Sequence, residues 1–276
     1  MKAEVFELQA SLEESHWWFV GRRTILRALL ATVLPPGSGA TVIDIGCGTG
    51  GNLGALGEGY RCIGLEPAPA ALAIARKRFP AVNFIAGADP ALIAPQATAR
   101  TLFLLNDVLE HVADDFLFFS QLLAVMPAGA QLLLTVPANP ALWSPHDLAL
   151  AHYRRYDEAR LRMVWRELPV RERLLTPYNA RLYPLVRLRR AWAQLAGASS
   201  GSRGTDLSLP PAPLNRLLTS LFAGERTALL RALDQGSRPY RRGVSLLALL
   251  ERTRGSVIPR TRPAEVPADR HDPGAR

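Results

Sequence analysis

An acid stands two residues ahead of a run of glycines: Asp44 precedes Gly46, Cys47, Gly48, Thr49, Gly50 and Gly51, all directly after the β-branched stretch Thr41-Val42-Ile43. That stretch favours an extended strand. The glycines permit positive φ and remove Cβ atoms, so a ligand can lie against the bare main chain. Gly46, Gly48 and Gly51 also satisfy the spacing of a dinucleotide site, in which a pyrophosphate sits on a helix N-terminus. Asp44 argues against an anion there and suits a cationic ligand. A second acid, Glu66, ends the short apolar stretch Arg61-Cys62-Ile63-Gly64-Leu65 and precedes Pro67. It stands where a carboxylate would hold ribose hydroxyls, a feature that both kinds of site share.

Three further clusters carry polar chemistry. Asn106, Asp107, Glu110 and His111 follow the apolar run 101–105, at a strand tip where ligands gather in open α/β sheets. His111 could act as a general base or simply bond the backbone at a helix start. Residues 143–156 bring together Trp143, His146, Asp147, His152, Tyr153, Arg154, Arg155 and Tyr156 between apolar elements. This pattern reads as a substrate site in which His146 or His152 takes a proton and Arg154 or Arg155 holds an anionic group in a bidentate grip. Near the N-terminus, His16-Trp17-Trp18-Phe19 precedes Gly21-Arg22-Arg23. Three adjacent aromatics cannot all face one side of a helix. Trp17, Trp18 or Phe19 would cover a substrate while Arg22 or Arg23 reaches an anion; alternatively, the rings staple an N-terminal helix to the domain.

The pattern Asp44-x-Gly46-x-Gly48-x-Gly50 resembles motif I of the class I S-adenosylmethionine-dependent methyltransferases, and of their bacterial small-molecule members (methyltransferase type 11/12-like). Asp107-Val108-Leu109-Glu110-His111 is similar to the block after their fourth strand, and 82–89 to the third strand, with Gly87-Ala88-Asp89 standing for the usual Gly-Asp-Ala. Residues 126–137 resemble the turn and fifth strand, with one glycine, Gly129, where many members have two. The matches keep the family's order over 41–137. The resemblance implies S-adenosylmethionine as cofactor. Asp44, Gly46, Cys47, Gly48 and Gly50 would take its methionine portion, Glu66 and Pro67 the ribose, Asp89 the adenine, and Asn106 and Asp107 the region of the sulfonium. It also implies an acceptor held by Trp17, Trp18, Arg22, Trp143, Arg154, Arg155 and Tyr156, with His111, His146 and His152 as candidate bases. A small-molecule or lipid-like acceptor with an anion or hydroxyls is expected, and O-methylation is favoured. An NAD-dependent oxidoreductase, an RNA or protein methyltransferase, and a non-catalytic membrane-associated scaffold are the alternatives.

The chain has 276 residues and is 48% apolar, enough for one large α/β domain with an appendage. No uninterrupted apolar run reaches membrane-spanning length, and Glu4, Glu7, Glu13 and Glu14 are unlike a signal peptide. Cys47 and Cys62 suit a reducing cytoplasm, and no His/Cys spacing suggests a metal, so none is expected. Residues 1–150 carry a net charge of −4 and 151–276 a net +13. A basic half admits nucleic acid, anionic lipid or a phosphorylated substrate. However, 31 of the 33 basic residues are Arg, a skew that genome composition also produces. No nucleic-acid module is visible, whereas an Arg-rich helix at 183–195 suits a peripheral membrane contact.

The rhythm of short apolar strands and helical stretches predicts a doubly wound, seven-stranded, mostly parallel Rossmann-like sheet. Crossover helices are expected at 69–79 and 114–125, and a further helix at 157–168, with Asp114 and Asp157 as N-caps. Strands at 170–176 and 244–250 would form a C-terminal antiparallel hairpin. The expected organisation is an N-terminal helical lid (1–40), a cofactor-binding core (41–177), a helical insertion (178–240), the last core strand (241–250) and a disordered Arg/Pro-rich tail (251–276). Within the insertion the sequence shows a helix at 183–195, a Gly/Ser stretch at 197–204, Pro210, Pro211 and Pro213, and a single helix over 214–233.

Overall fold

The computed structural model describes residues 3–195 and 208–266. Seven strands form one sheet: Thr41–Ile45 (β1), Arg61–Glu66 (β2), Asn83–Ala86 (β3), Thr101–Asn106 (β4), Gln131–Pro137 (β5), Val170–Tyr178 (β6) and Ser245–Arg252 (β7). Their order is β3-β2-β1-β4-β5-β7-β6. The first five pair in parallel, and β7 runs antiparallel to both β5 and β6. β1, β4 and β5 are buried along their whole length. Apolar runs without alternation, such as Thr101-Leu-Phe-Leu-Leu, meet the demand of a parallel sheet covered on both faces. The order reverses between β1 and β4, so a crevice opens past their carboxyl ends. Asp44 lies near the carboxyl end of β1 there, in register with Gly64 and Leu104.

The helices are Ala3–Leu12 (α1), Trp17–Val33 (α2), Gly51–Leu56 (α3), Pro69–Arg78 (α4), Asp115–Val125 (α5), Pro145–Ala149 (α6), Glu158–Trp165 (α7), Tyr183–Leu195 (α8), Ala212–Ala223 (α9) and Arg226–Gln235 (α10). Asp114 caps α5 by accepting from the peptide N–H groups of Phe116 at 3.1 Å and Leu117 at 2.9 Å. Asp157 caps α7 through Arg160 N–H at 2.8 Å. His16 was not foreseen as a cap, yet its ring accepts from Trp18 N–H at the start of α2. α9 packs along α2, where Gly21 admits the Phe222 ring; a Cβ at that position would lie 2.6 Å from it. Asn215 clamps the same crossing, accepting from Trp17 N–H and donating to the Ser15 carbonyl.

Two expectations are corrected. The single helix over 214–233 is two helices, broken at Gly224-Glu225. Glu225 turns inward there, and its Oε1 accepts from the N–H groups of Ala180 and Arg181, each at 2.8 Å. The tail was expected to lack structure from 251, but its described part packs on the domain. β7 continues to Arg252. Arg260 donates to the Met163 carbonyl at 3.1 Å, and its N–H reaches Ser120 at 2.9 Å. Arginines serve here as long donors to carbonyls, a role that composition alone hides. The Gly/Ser stretch at 197–204 and the tail beyond 266 lie outside the described residues. Among the described residues no helix is long and apolar enough to cross a membrane.

Candidate active site

The glycine turn is built as the sequence requires. Gly46 and Gly48 take φ of 67° and 55°, and a Cβ on Gly46 would lie 2.7 Å from Val108. The N–H groups of Gly46 and Cys47 return to the Leu65 carbonyl, joining the turn to β2. Glu66 then grips the turn: Oε2 accepts from Gly48 N–H at 2.9 Å and Oε1 from Ala68 N–H at 2.8 Å. Burial raises its pKa, and these two bonds oppose the rise. Asp44 is buried beneath the turn and accepts one bond from Asn52 Nδ2 at 3.2 Å. Burial pushes its carboxyl up to about 7 against the Asn52 bond and the Arg22 charge. A positive ligand charge nearby would reverse much of that cost.

From the turn a cavity of about 780 Å³ runs across the carboxyl ends of the strands. Gly46, Cys47, Gly48, Glu66, Pro67, Gly87 and Ala88 line its first end. Residues of α1, including Phe6 and Gln9, and Trp17, Trp18 and Arg22 of α2 line it from above. Asn106 and Asp107 stand at its middle. Asp107 holds φ of 55°, an uncommon conformation for a side-chain-bearing residue. Its carboxylate pairs with Arg22. The Arg22 guanidinium lies 4.2 Å from the Trp18 ring centroid. Asn106 Oδ1 accepts from Thr135 Oγ1, while its Nδ2 has no partner among the described residues.

The far end holds His111, His146, His152 and Glu110. His152 Nδ1 meets Asp147 Oδ1 at 3.1 Å, and Arg155 donates to the same oxygen at 2.7 Å. Burial alone would raise Asp147, but the His152 bond and the charges of Arg155 and Arg190 hold it below the ordinary carboxylate range. The His111 ring packs edge-on to His152, with centroids 4.7 Å apart. Burial and the neighbouring His152 lower His111 to about 3, so it is neutral. Leu182, Leu185, Val186, Leu214 and Leu218 make an apolar wall, with Arg189 and Arg190 at its edge.

Several predicted residues do other work. Arg154 does not line the cavity; it donates to the carbonyls of Leu109, Val112 and Ala113 at 2.9, 2.6 and 2.7 Å, so its fork is spent on backbone. Tyr156 is fully buried, and its hydroxyl donates to Asp115 at 2.9 Å. Arg155 reaches the cavity, but its guanidinium is bound to Asp147 and to the carbonyls of Ala138 and Val244. Trp143 lies off the lining. Asp89 caps the turn after β3 through Ala91 N–H at 2.8 Å, leaving Gly87 and Ala88 to face the cavity. Gly50 packs against Phe79 and Phe84 behind the turn. The sequence suggests a helical lid over 1–40 but singles out no residue of α1, and it does not announce the α8–α9 wall. The leucine spacing of α8 was the available signal, but nothing local said which cavity it would close.

A family model described as "Methyltransferase domain" matches residues 19–182. Trans-aconitate 2-methyltransferase of Acidovorax sp. (strain JS42) is 37% identical over 114 residues, covering 40% of this chain and 43% of that protein. The Azoarcus sp. (strain BH72) protein of the same name is 31% identical over 131 residues, covering 46% and 51%. The chain thus spans about half the length, or less, of these curated relatives. Among solved structures, the YcgJ protein of Bacillus subtilis aligns with a TM-score of 0.52 at 14% identity, covering 83% of this chain and 98% of that one. The [4+2]-cyclase SpnF aligns with a TM-score of 0.52 at 15% identity, covering 84% and 82%; both likenesses speak to fold. With the glycine turn, its two acids and the sheet order already in hand, the match over most of the sheet shows that this chain belongs to the methyltransferase-domain family, in the class I S-adenosylmethionine-dependent group.

Proposed function

We propose that this protein methylates a small, anionic or lipid-linked acceptor, most readily at oxygen. The observation that carries the reading is the continuity of the cavity, from the Gly46–Gly48 turn and Glu66 at one end to imidazoles, arginines and an apolar wall at the other. Bound S-adenosylmethionine supplies an electrophilic methyl group on a sulfonium, so geometry of approach is the protein's main contribution. The turn and Glu66 fit that cofactor: the main chain is bare where it would lie, and buried Asp44 favours a cation nearby. Helices α1 and α2 act as its lid, with Arg22 fixing Asp107 beneath them. His152, buried and tied to Asp147, holds the acceptor. His146, half-exposed on the same wall, takes the acceptor proton and returns it to solvent.

Arg189 at the cavity edge favours an anionic acceptor, beside an Arg190 that is held by the Leu142 carbonyl and Asp147, in keeping with relatives named for trans-aconitate. The leucines of α8 and α9 favour an apolar portion as well. Outside the cavity, Leu188 and Trp192 of α8 and Leu217 of α9 are 70%, 66% and 55% exposed. This apolar surface in the basic half of the chain supports a lipid-linked acceptor met at an anionic membrane surface. Transfer of a labelled methyl group to a panel of carboxylic acids, phenols and phosphates, with and without long apolar chains, tests the reading. Transfer to an anionic acceptor is expected, more efficient when the acceptor carries an apolar chain. Transfer only to RNA or protein, or none across the panel with cofactor bound, would overturn it.

A further inference from the structure

Beyond methyl transfer, we infer that Glu110, His111 and His152 form a binding site for a divalent cation of the Zn²⁺ type at the acceptor end of the cavity. One ligand atom from each residue lies within 4.8 Å of the other two, so small rotamer adjustments bring all three onto one ion. Two nitrogens and a carboxylate oxygen are a donor set for a borderline cation, and three protein ligands leave a position open toward the cavity.

The surroundings are those of metal-binding imidazoles, whose second nitrogen is held by a carboxylate or a carbonyl. His152 Nδ1 is held by Asp147, itself fixed by Arg155 and by Ser144 N–H at 2.9 Å. The carbonyls of Ala151 and Leu150 face the His111 ring. His152 Nδ1 is thus oriented by the protein and Nε2 remains for a ligand, while the His111 ring is anchored by loop carbonyls. The two segments are also tied together, since Tyr153 N–H donates to the Glu110 carbonyl at 2.7 Å.

Glu110 is the independent observation. It is 1% exposed, and neither carboxylate oxygen accepts a hydrogen bond at bonding geometry from another described residue; burial and the nearby carboxylates of Asp107 and Asp147 oppose its charge, while its own peptide N–H and the Arg155 charge favour it. A buried carboxylate so poorly served is costly unless a proton or a cation compensates it. A cation there compensates Glu110 and presents a Lewis-acidic position to an acceptor oxygen. Sequence spacing hid the site, because its ligands come from two adjacent residues and a third on a distant loop.

The test is titration of tag-free, chelator-treated, full-length protein with Co²⁺, read by visible d–d absorption, followed by displacement with Zn²⁺. About one Co²⁺ per chain is expected, in a low-symmetry site, and displaced by Zn²⁺. Glu110→Gln and His152→Ala should each weaken Co²⁺ binding by roughly tenfold or more, whereas Trp192→Ala should not. If either variant fails to fold, the wild-type protein decides: Zn²⁺ should raise its Tm relative to chelator, and Asp147→Asn should reduce that rise. No saturable Co²⁺ spectrum, or one unchanged in folded Glu110→Gln and His152→Ala proteins, overturns the site. Neither readout depends on methyl transfer, so failure here is distinct from failure of the proposed activity.

Discussion

Arg22, in the second turn of α2, is paired with Asp107 at the tip of β4. The pair spans 85 residues of sequence and ties the helix above the cavity to the strand below it. Arg22 is 6% exposed and stacks on Trp18, whereas the Asp107 side chain is 22% exposed in the cavity wall. Removing the arginine strands a charge in the cavity wall. Arg22→Ala is expected to lower stability by about 2–3 kcal/mol and to weaken cofactor binding, with both effects measured in one thermal-shift titration. An unchanged Tm together with unchanged affinity would mean that the pair holds nothing in place.

Asp44 gives a pH dependence with a definite sign. Its carboxyl rises from the ordinary 3.8 to about 7 on folding. The folded chain therefore holds a proton that the unfolded chain has lost, and the stability this represents is full below pH 3.8 and gone once pH passes about 7. Asp44→Asn should flatten the decline over this window and stabilise the cofactor-free protein at pH 8 by on the order of 2–4 kcal/mol. The same substitution should weaken S-adenosylmethionine binding about tenfold or more, since the ligand's positive charge loses its counterpart. Chemical denaturation across pH, with and without cofactor, reads both directions.

His146 and Arg154 separate chemistry from architecture. His146→Ala should lower kcat by about 10²–10⁴ with little change in cofactor affinity, as a lost proton acceptor does. Arg154→Ala should remove a donor from three carbonyls, leaving Ala113's with Arg262 and Leu109's with the Val112 N–H. A loss of about 2–4 kcal/mol in stability is expected, not a selective rise in acceptor KM. Denaturant unfolding alongside steady-state kinetics distinguishes the two patterns.

The exposed apolar residues of α8 carry the membrane part of the reading. Leu188→Glu with Trp192→Glu should abolish sedimentation with anionic phosphatidylserine-containing vesicles while leaving Tm unchanged, because both side chains face outward. Equal sedimentation of the variant would remove the membrane contact.

The sheet was legible because its signals are local. Short apolar runs end in polar residues or turn residues, and Asp114 and Asp157 cap their helices by short-range bonds. The cofactor end was legible for the same reason: Gly46, Gly48 and Glu66 lie within one βαβ unit. The acceptor end was not. Arg154, Arg155 and Tyr156 look like a binding cluster in sequence, yet all three are stitched into carbonyls or Asp115, partners that only the folded chain brings near. The roof drew on α1, α8 and α9, elements far apart in sequence, whose joint cavity no periodicity announces. Glu225 broke a helix for the sake of two peptide N–H groups across the fold, which a pattern of leucines does not encode.

Calorimetric titration of the purified protein with S-adenosylmethionine, alongside S-adenosylhomocysteine and NADH, tests the cofactor assignment most directly. Micromolar binding of both sulfur cofactors and none of NADH is the predicted result, with the enthalpic signal reduced in Asp44→Asn. Binding of NADH, or of none of the three, would contradict it.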